Sequence, residues 1–157
     1  MNHLKNKLMR IALFNCNGLS GKVNGILKFQ EQQKIDLFIL LETWDNPQTS
    51  PIKNYFIKLQ KESNQLINGG RRHKGGILLF GNSAIKNLIK IKYLDEKKNF
   101  GLIEIQEVFI AFGYFSPTLS HQDLLDFFDK IDELTQNKQT ILLGDFNARM
   151  GSFSNDH

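Results

Sequence analysis

The amino-acid sequence predicts a mixed α/β domain built from layers of sheet and helix. Apolar runs of strand length recur along the 157 residues, and two amphipathic stretches of helical periodicity separate groups of them. The order is strand, helix, strand, several strands in succession, then helix and strand, which is typical of a layered α/β fold. With 41% hydrophobic residues, the chain has enough apolar material for one packed core and too much for a disordered protein.

The first part of the chain predicts two strands around a helix. Residues 8–14 are a short apolar run after a basic start, and we expect a strand there. Residues 22–34 place apolar side chains at near-helical spacing, which predicts an amphipathic helix. Residues 35–41 are nearly all apolar, as in a strand buried on both faces. Residues 46–54 contain two of the three prolines and predict a loop.

The rest of the chain predicts further strands and one long helix. The strands are expected at residues 55–59, 75–80, 85–94, 102–105, 108–114 and 140–143. Gln106-Glu107 separates two of them, which suggests a hairpin. Residues 120–136 are the clearest helix, because apolar side chains fall on one face and Ser120 with Asp123 resembles a capping box.

The cysteine count, the length of the apolar runs and the net charge limit the cellular location and the partners that we expect. Cys16 is the single cysteine, so we expect no internal disulfide, no disulfide-linked partner and an intracellular location, nuclear or cytoplasmic. Apolar runs reach only about five residues, so we expect no membrane span and no membrane partner. The net charge of +4 is compatible with a nucleic-acid partner, and equally ordinary for a chain rich in Lys and Asn.

Polar side chains follow the first predicted strand. Asn15 and Asn17 are two apart, so in an extended segment they point to one side. Their amides can offer oxygen to a metal ion or NH2 to a phosphate. The alternative is a plain turn, because Asn17-Gly18 is a strong turn dipeptide.

Carboxylates follow two other predicted strands. Glu42 ends the buried run 35–41, where an ionised carboxylate is costly unless it is paired or binds a metal such as Mg²⁺. Asp145 and Asn147 are two apart after the last strand, so the carboxylate can orient and deprotonate a water while the amide holds a phosphate oxygen. A solvated strand end at Glu42 and a turn at Asp145 are the alternatives.

A basic segment lies between two glycine pairs at residues 69–76. As a flexible loop it suits a phosphate backbone, and Arg71, Arg72 and Lys74 are the predicted nucleic-acid contacts. The spacing differs from that of a P-loop. A loop that is merely solvated is the alternative.

Together and in this order, four strand-end segments resemble the endonuclease/exonuclease/phosphatase family. They are FNCNGL at 14–19, LETW at 41–44, GYFSP at 113–117 and LGDFN at 143–147. The resemblance covers essentially the whole chain and is greatest to the endonuclease domains of non-LTR retrotransposons and to abasic-site endonucleases. It implies the DNase I-like fold, a four-layer α/β sandwich in which two facing mixed sheets are flanked by helices.

The resemblance also implies roles for the strand-end residues, with Mg²⁺ or alternatively Mn²⁺ as the cofactor. Glu42 matches the principal metal-ligand carboxylate, and Asn15 and Asn17 match residues that place the metal or the scissile phosphate. Asp145 matches the residue that aligns the attacking water, and Asn147 matches the amide that contacts the phosphate.

Two departures from the family pattern stand out. Tyr114 matches the phosphate-contacting tyrosine, but the family shows Tyr-x-Pro and this chain has YFSP, so Phe115 is an alternative occupant. The family also carries an Asp and a Ser-Asp-His segment beyond the last strand seen here. Residues 1–157 are therefore expected to be the N-terminal two-thirds of the domain, without the C-terminal catalytic segment, and the ending SNDH at His157 to resemble that segment by chance.

The implied function is metal-dependent phosphodiester hydrolysis by a DNA-nicking endonuclease of the retrotransposon type. DNA is the expected partner, and a reverse transcriptase domain is expected in a longer parent protein. The chain by itself is expected to be an inactive or impaired fragment. Two alternatives remain open: a non-catalytic nucleic-acid-binding remnant of a retroelement, and a phosphatase of the same fold for a small or lipid-borne phosphate.

Overall fold

The computed structural model describes residues 8–46, 50–61, 66–67, 70–71 and 75–147. In chain order its elements are β1 (Ile11–Asn15), α1 (Val23–Gln33), β2 (Leu37–Leu41), β3 (Tyr55–Leu59), β4 (Leu66–Ile67), β5 (Gly70–Arg71), β6 (Ile77–Gly81), α2 (Ser83–Lys86), β7 (Lys90–Leu94), β8 (Phe100–Ile105), β9 (Val108–Tyr114), α3 (His121–Thr135) and β10 (Thr140–Asp145). None of the helices in these ranges is long and apolar enough to cross a membrane.

Two four-stranded sheets form the frame of the fold. The first has the strand order β1-β2-β6-β3, and the second has the order β10-β9-β8-β7. In each sheet the pair at one edge is parallel, β1 with β2 and β9 with β10, while the other neighbours are antiparallel. Both sheets are therefore mixed, and the β4-β5 hairpin forms a separate small ladder.

The two sheets face each other across the main core. Successive side chains of a strand point to opposite faces, so one face of each sheet turns inward. Ile39 and Leu41 of β2 belong to the same buried cluster as Ile110 and Phe112 of β9. That cluster joins the two sheets into a sandwich.

A helix covers the outer face of each sheet. Phe38 on the other face of β2 packs in one cluster with Ile26 of α1. Phe109 of β9 packs in another cluster with Phe127 and Ile131 of α3. The layers are thus helix, sheet, sheet and helix, which confirms the predicted four-layer α/β sandwich.

Most elements predicted from local patterns are present. β2 is buried at every position, and β3 occupies the predicted residues. The predicted hairpin is formed by β8 and β9, and its turn residues Gln106 and Glu107 have φ of 50° and 69°. The capping box of α3 is also present, since Ser120 and Asp123 hydrogen bond reciprocally.

The single strand predicted for residues 85–94 is wrong in its first half. Residues Ser83–Lys86 form the short helix α2 instead. The cause is local, because the Asn82 side chain caps this helix by accepting a hydrogen bond from the Ala84 backbone N–H at 3.0 Å. Only the second half, β7, is a strand.

The edge strands β1 and β10 contact each other across the sandwich. They carry apolar side chains with large exposed fractions, 45% for Phe14, 38% for Ile141 and 45% for Leu142. Because both strands are parallel to their neighbours, their C-terminal residues lie at the same end of the molecule as those of β2 and β9. That end holds the polar residues singled out from the sequence.

Candidate active site

Four strand ends meet at one end of the sandwich. Asn15 is the last residue of β1 and Glu42 comes directly after β2, its parallel neighbour. Tyr114 and Asp145 are the paired last residues of β9 and β10 in the other sheet. The site is therefore assembled from both sheets, at the carboxyl ends of two parallel strand pairs.

The Asn15 side chain joins the two carboxylates of the site. Its Nδ2 donates to Glu42 Oε1 at 2.9 Å and to Asp145 Oδ2 at 2.9 Å. Its Oδ1 accepts from the Asn17 backbone N–H at 3.0 Å, so both ends of the amide are oriented by their partners. One NH2 group thus holds together two acceptors that come from different sheets.

The Glu42 backbone occupies an unusual conformation. Glu42 and Trp44 have φ of 51° and 48°, in the left-handed region that non-glycine residues rarely adopt. The loop is held in this shape by backbone hydrogen bonds, from Gly18 N to Glu42 O at 2.7 Å and from Trp44 N to Gly75 O at 2.9 Å. Backbone strain of this kind is concentrated at functional sites, where surrounding structure maintains it.

Cys16 adds to the support of this loop. It is buried, and its Sγ donates to Leu41 O at 3.1 Å and to Glu42 O at 3.4 Å. Burial raises the pKa of the Cys16 thiol to about 11, so the group stays protonated and unreactive at neutral pH. The residue lies beside Asn15 in the sequence, but no sequence signal marked it as a support for Glu42.

Tyr114 lies beside both carboxylates. Burial, a hydrogen bond with Glu42 and the negative charges of Glu42 and Asp145 raise the pKa of the Tyr114 phenol above its ordinary value. The hydroxyl therefore remains a neutral donor at physiological pH. Phe115 is buried instead among the aromatic rings on the α3 side, so the geometry favours Tyr114 for the site position.

The second asparagine of each pair lies in a turn rather than on a strand. Asn17 and Asn147 have φ of 43° and 46°, and their backbone N–H groups donate to Asn15 Oδ1 and Asp145 Oδ1 at 3.0 and 3.1 Å. Of the two alternatives that the sequence left open at each pair, an extended segment and a turn, the structure has the turn, because the strands end at Asn15 and Asp145. Both asparagines are exposed at the rim of the site.

The two rim asparagines differ in their side-chain contacts. Asn147 Nδ2 donates to Phe115 O at 3.0 Å, which anchors the last described turn to β9. The Asn17 side chain makes no hydrogen bond within the described residues, while its backbone carbonyl accepts from Lys22 Nζ at 3.2 Å. Asn17 therefore has an amide that is available to a ligand, and Asn147 has one that must leave Phe115 to reach a ligand.

The donor set suits a hard divalent cation. Two carboxylates converge on the Asn15 NH2 group, and Mg²⁺ usually takes one or two carboxylates and keeps several waters. Across the described ranges, no group of three or more His, Cys, Asp or Glu side chains is close enough to form a metal site. A zinc-type site is thus not formed by these residues, whereas a site rich in water around Glu42 and Asp145 fits them.

A groove of about 490 Å³ adjoins Glu42 and Tyr114. Glu42 and Tyr114 line one end, and the lining continues through Trp44, Lys61 and Lys98. The last three were not among the predicted site residues. Trp44 belongs to a quoted motif, but nothing in the local sequence around Lys61 or Lys98 distinguishes them from other surface lysines.

The basic segment is described only in part. Arg71 lies in β5, which pairs with β4, so the expectation of a loop throughout residues 69–76 is wrong at that point. The backbone alone is described for Arg71, and Arg72 and Lys74 lie outside the described residues, as does His157. The nucleic-acid contacts assigned to this segment stay a prediction.

The sequence profile described as Endonuclease/Exonuclease/phosphatase family matches residues 12–157 of this chain. No curated protein matches the chain. The match to the profile therefore carries the family assignment.

Several solved structures share the fold. The endonuclease domain of TRAS1, a telomere-specific non-LTR retrotransposon, has a TM-score of 0.60 and 14% identity over 90% of this chain and 60% of that one. An AP endonuclease from Archaeoglobus fulgidus has a TM-score of 0.57 and 14% identity over 90% of this chain and 58% of that one. The 3′ phosphatase NExo from Neisseria, bound to product DNA hairpin, has a TM-score of 0.54 and 15% identity over 89% of this chain and 58% of that one. The chain spans only about three-fifths of these structures.

Proposed function

The chain belongs to the endonuclease/exonuclease/phosphatase family, and from its site geometry we propose that it carries most of the active site of a Mg²⁺-dependent DNA-nicking endonuclease of the retrotransposon type. The observation that carries the proposal is the Asn15 bridge, which places Glu42 and Asp145 on either side of one amide, 2.9 Å from its nitrogen. A reverse transcriptase domain in a longer parent protein and an intracellular location, nuclear or cytoplasmic, belong to the same proposal.

Glu42 is the proposed metal ligand, with Asn15 and Asn17 beside it. The ion supplies charge stabilisation on the phosphate and on the leaving oxygen when it is bound. Glu42 suits this role because its left-handed backbone is held by Gly18 and Cys16, which fixes the carboxylate before any ligand arrives. A preorganised carboxylate loses little conformational entropy when it binds.

Asp145 is the proposed group that orients the attacking water. Its Oδ1 is held by the Asn147 backbone and its Oδ2 by Asn15, so the carboxylate plane is fixed on both sides. Tyr114 and Asn147 then hold non-bridging phosphate oxygens as neutral donors. Tyr114 suits this role because its raised pKa keeps the phenolic proton in place.

We propose that residues 1–157 alone bind metal and DNA but turn over slowly. Relatives of the same fold are longer, since the chain covers 58–60% of them. Removing one member of a cooperating catalytic set commonly costs several orders of magnitude. A non-catalytic nucleic-acid-binding protein is the second candidate function, because the lysines that line the groove beside Glu42 suit a phosphate backbone whether or not the site turns over.

The test combines metal binding with nicking of supercoiled plasmid. Mn²⁺ binding to chain 1–157 is followed by electron paramagnetic resonance, and nicking is measured in the chain extended by the C-terminal segment of a full-length relative. Glu42→Ala is expected to remove the tightest Mn²⁺ site and to abolish Mg²⁺-dependent nicking. Glu31→Ala, which removes an exposed carboxylate from α1, is the matched control and should change neither.

Three results would contradict the proposal. Near-full nicking by the Glu42→Ala protein would exclude Glu42 as the metal ligand. Robust nicking by chain 1–157 itself that disappears in Asp145→Ala would show that the chain is a complete enzyme. Metal and DNA binding with no nicking in the extended chain would favour the non-catalytic alternative.

A further inference from the structure

The groove beside Glu42 has walls from several separate parts of the chain. Trp44 follows β2, Lys61 follows β3, and Lys98 precedes β8. Ser116 and Thr118, which follow β9, complete it, with their hydroxyl oxygens 3.0 Å apart. The volume of about 490 Å³ is within the range of small-molecule sites and is large enough for about one nucleotide.

Two lysines give this groove a local positive charge. Lys61 Nζ donates to Asn99 Oδ1 at 2.8 Å, and neither Lys61 nor Lys98 has a carboxylate partner within the described residues. The neighbouring Lys97, by contrast, is neutralised by Asp123 at 2.5 Å. The charges of Lys61 and Lys98 are thus left for an anionic ligand.

The anchor of Lys61 connects the groove with the site. Asn99 is buried, its backbone N–H donates to Asp95 Oδ2 at 2.9 Å, and its carbonyl accepts from the Tyr114 N–H at 2.8 Å. The residue that holds the lysine therefore also holds Tyr114 in place. An anion on Lys61 would lie in the same groove as Tyr114 and Glu42.

Trp44 supplies an aromatic wall that is fixed in place. A Cβ at Gly18 would lie 3.0 Å from the Trp44 ring, so the indole packs closely on the Gly18 backbone. The backbone N–H of Trp44 donates to Gly75 O at 2.9 Å, and the Trp44 side chain is half-buried. A rigid, partly exposed aromatic ring next to lysines is the combination that binds unpaired nucleotides, since bases stack on the ring and phosphates meet the cations.

We propose that this groove binds a nucleotide adjacent to the scissile phosphate, with its phosphate on Lys61 and Lys98 and its unpaired base on Trp44. The proposal rests on the proposed nuclease function and adds that the substrate is a strand with an unstacked base next to the cut. A fully paired duplex keeps its bases inside the helix and cannot use Trp44 in this way.

The test uses Trp44 as its own reporter, because it is the single tryptophan of the chain. Chain 1–157 is titrated without metal with an eight-nucleotide single-stranded thymidine oligomer, with the same sequence in a duplex, and with inorganic phosphate. Tryptophan fluorescence and the anisotropy of a label on the oligomer are recorded together. Saturable quenching by the single strand, at least tenfold tighter than by the duplex, is expected.

Variants separate the contributions of charge and stacking. Lys61→Ala/Lys98→Ala is expected to weaken single-strand binding at least tenfold and to lower the log–log salt slope by about 1.4, since each phosphate contact contributes about 0.7. Lys28→Ala/Lys86→Ala removes the same charge from α1 and α2 and should remain within about twofold of the parent chain. Trp44→Ala should weaken binding about tenfold, while Trp44→Phe, which retains a ring, should restore most of it.

The proposal fails if the oligomer binds by anisotropy without quenching Trp44, if the two double-lysine variants behave alike, or if duplex quenches as strongly as single strand. Circular dichroism of each variant excludes misfolding. Because no metal is present, these outcomes are independent of turnover. Lysine-dependent binding without any nicking in the extended chain would support the groove and reject the nuclease. Unchanged single-strand binding and unchanged nicking in the Lys61→Ala/Lys98→Ala protein would support the nuclease and reject the groove.

Discussion

Replacing Asn15 by Asp tests the bridge at the centre of the site. The amide donates to both Glu42 and Asp145 at 2.9 Å, and the substitution keeps its shape while turning the donor into a third carboxylate. The two charge-assisted hydrogen bonds are lost, and hydrogen bonds of this kind contribute about 1.5–3 kcal/mol each. Three carboxylates then crowd one site without a cation.

Protonation of the new carboxyl group limits how much charge repulsion can destabilise the Asn15→Asp protein. A new carboxyl with an ordinary pKa of about 3.9 can take up a proton at pH 7 for about 4 kcal/mol, and at pH 5 for about 1.5 kcal/mol. The site is half-buried, so solvent screening reduces the repulsion below this limit. Protonation restores only one of the two hydrogen bonds, so we expect Asn15→Asp to lower the free energy of unfolding by about 4 kcal/mol at pH 7 and by about 2–3 kcal/mol at pH 5.

A divalent cation should reverse the effect. Three carboxylates bind Mg²⁺ more tightly than two, and a ligand at 100 times its Kd stabilises the folded state by about 2.7 kcal/mol. Ten millimolar MgCl₂, roughly a saturating level for such a site, should therefore stabilise the Asn15→Asp protein more than the parent chain. The assay is urea unfolding at both pH values, with EDTA or with MgCl₂.

Asn24→Asp is the matched control. It adds the same charge on an exposed side chain of α1, outside the proposed site, so its effect should stay within about 0.5 kcal/mol. If Asn15→Asp is as stable as Asn24→Asp in EDTA, the Asn15 bridge does not hold the two sheets' carboxylates together. If Mg²⁺ stabilises both proteins equally, the cation does not bind at this bridge.

Three further predictions concern the surface and the ionisation of the site. Replacing Arg71, Arg72 and Lys74 together by Ala should weaken DNA binding about equally across sequences and lower the salt slope by about one unit per lost phosphate contact; an unchanged slope would show a solvated segment. Leu142→Lys on the exposed edge strand β10 should reduce the self-association that we expect of chain 1–157, as measured by sedimentation velocity, and equal association in both proteins would contradict this. Tyr114→Phe should leave the absorbance at 295 nm unchanged up to about pH 10.5, because the raised pKa keeps this phenol protonated where an ordinary tyrosine ionises; a loss of absorbance would show that Tyr114 titrates normally.

Local patterns were sufficient for most of the layers. β2 could be recognised because a strand buried on both faces is apolar at every position, and α3 because its apolar face and its Ser120 cap are both encoded within a few residues. The same local reasoning missed α2, since one capping residue, Asn82, outweighed an alternating pattern that also suits a strand. The ends of elements were less predictable, as β10 extends through Asp145.

The sequence by itself determined that Asn15, Glu42, Tyr114 and Asp145 are polar groups close to the tips of apolar runs, because each run is visible within a few residues. It did not determine that one amide joins residues 130 positions apart, because that contact depends on the two edge strands meeting across the sandwich.

Only the tertiary structure decided between an extended segment and a turn at Asn17 and Asn147, and only it brought Lys61 to Asn99 across 38 residues. Side-chain periodicity acts over neighbouring residues, whereas a groove forms where loops from distant strands meet, and no local pattern records which loops those are.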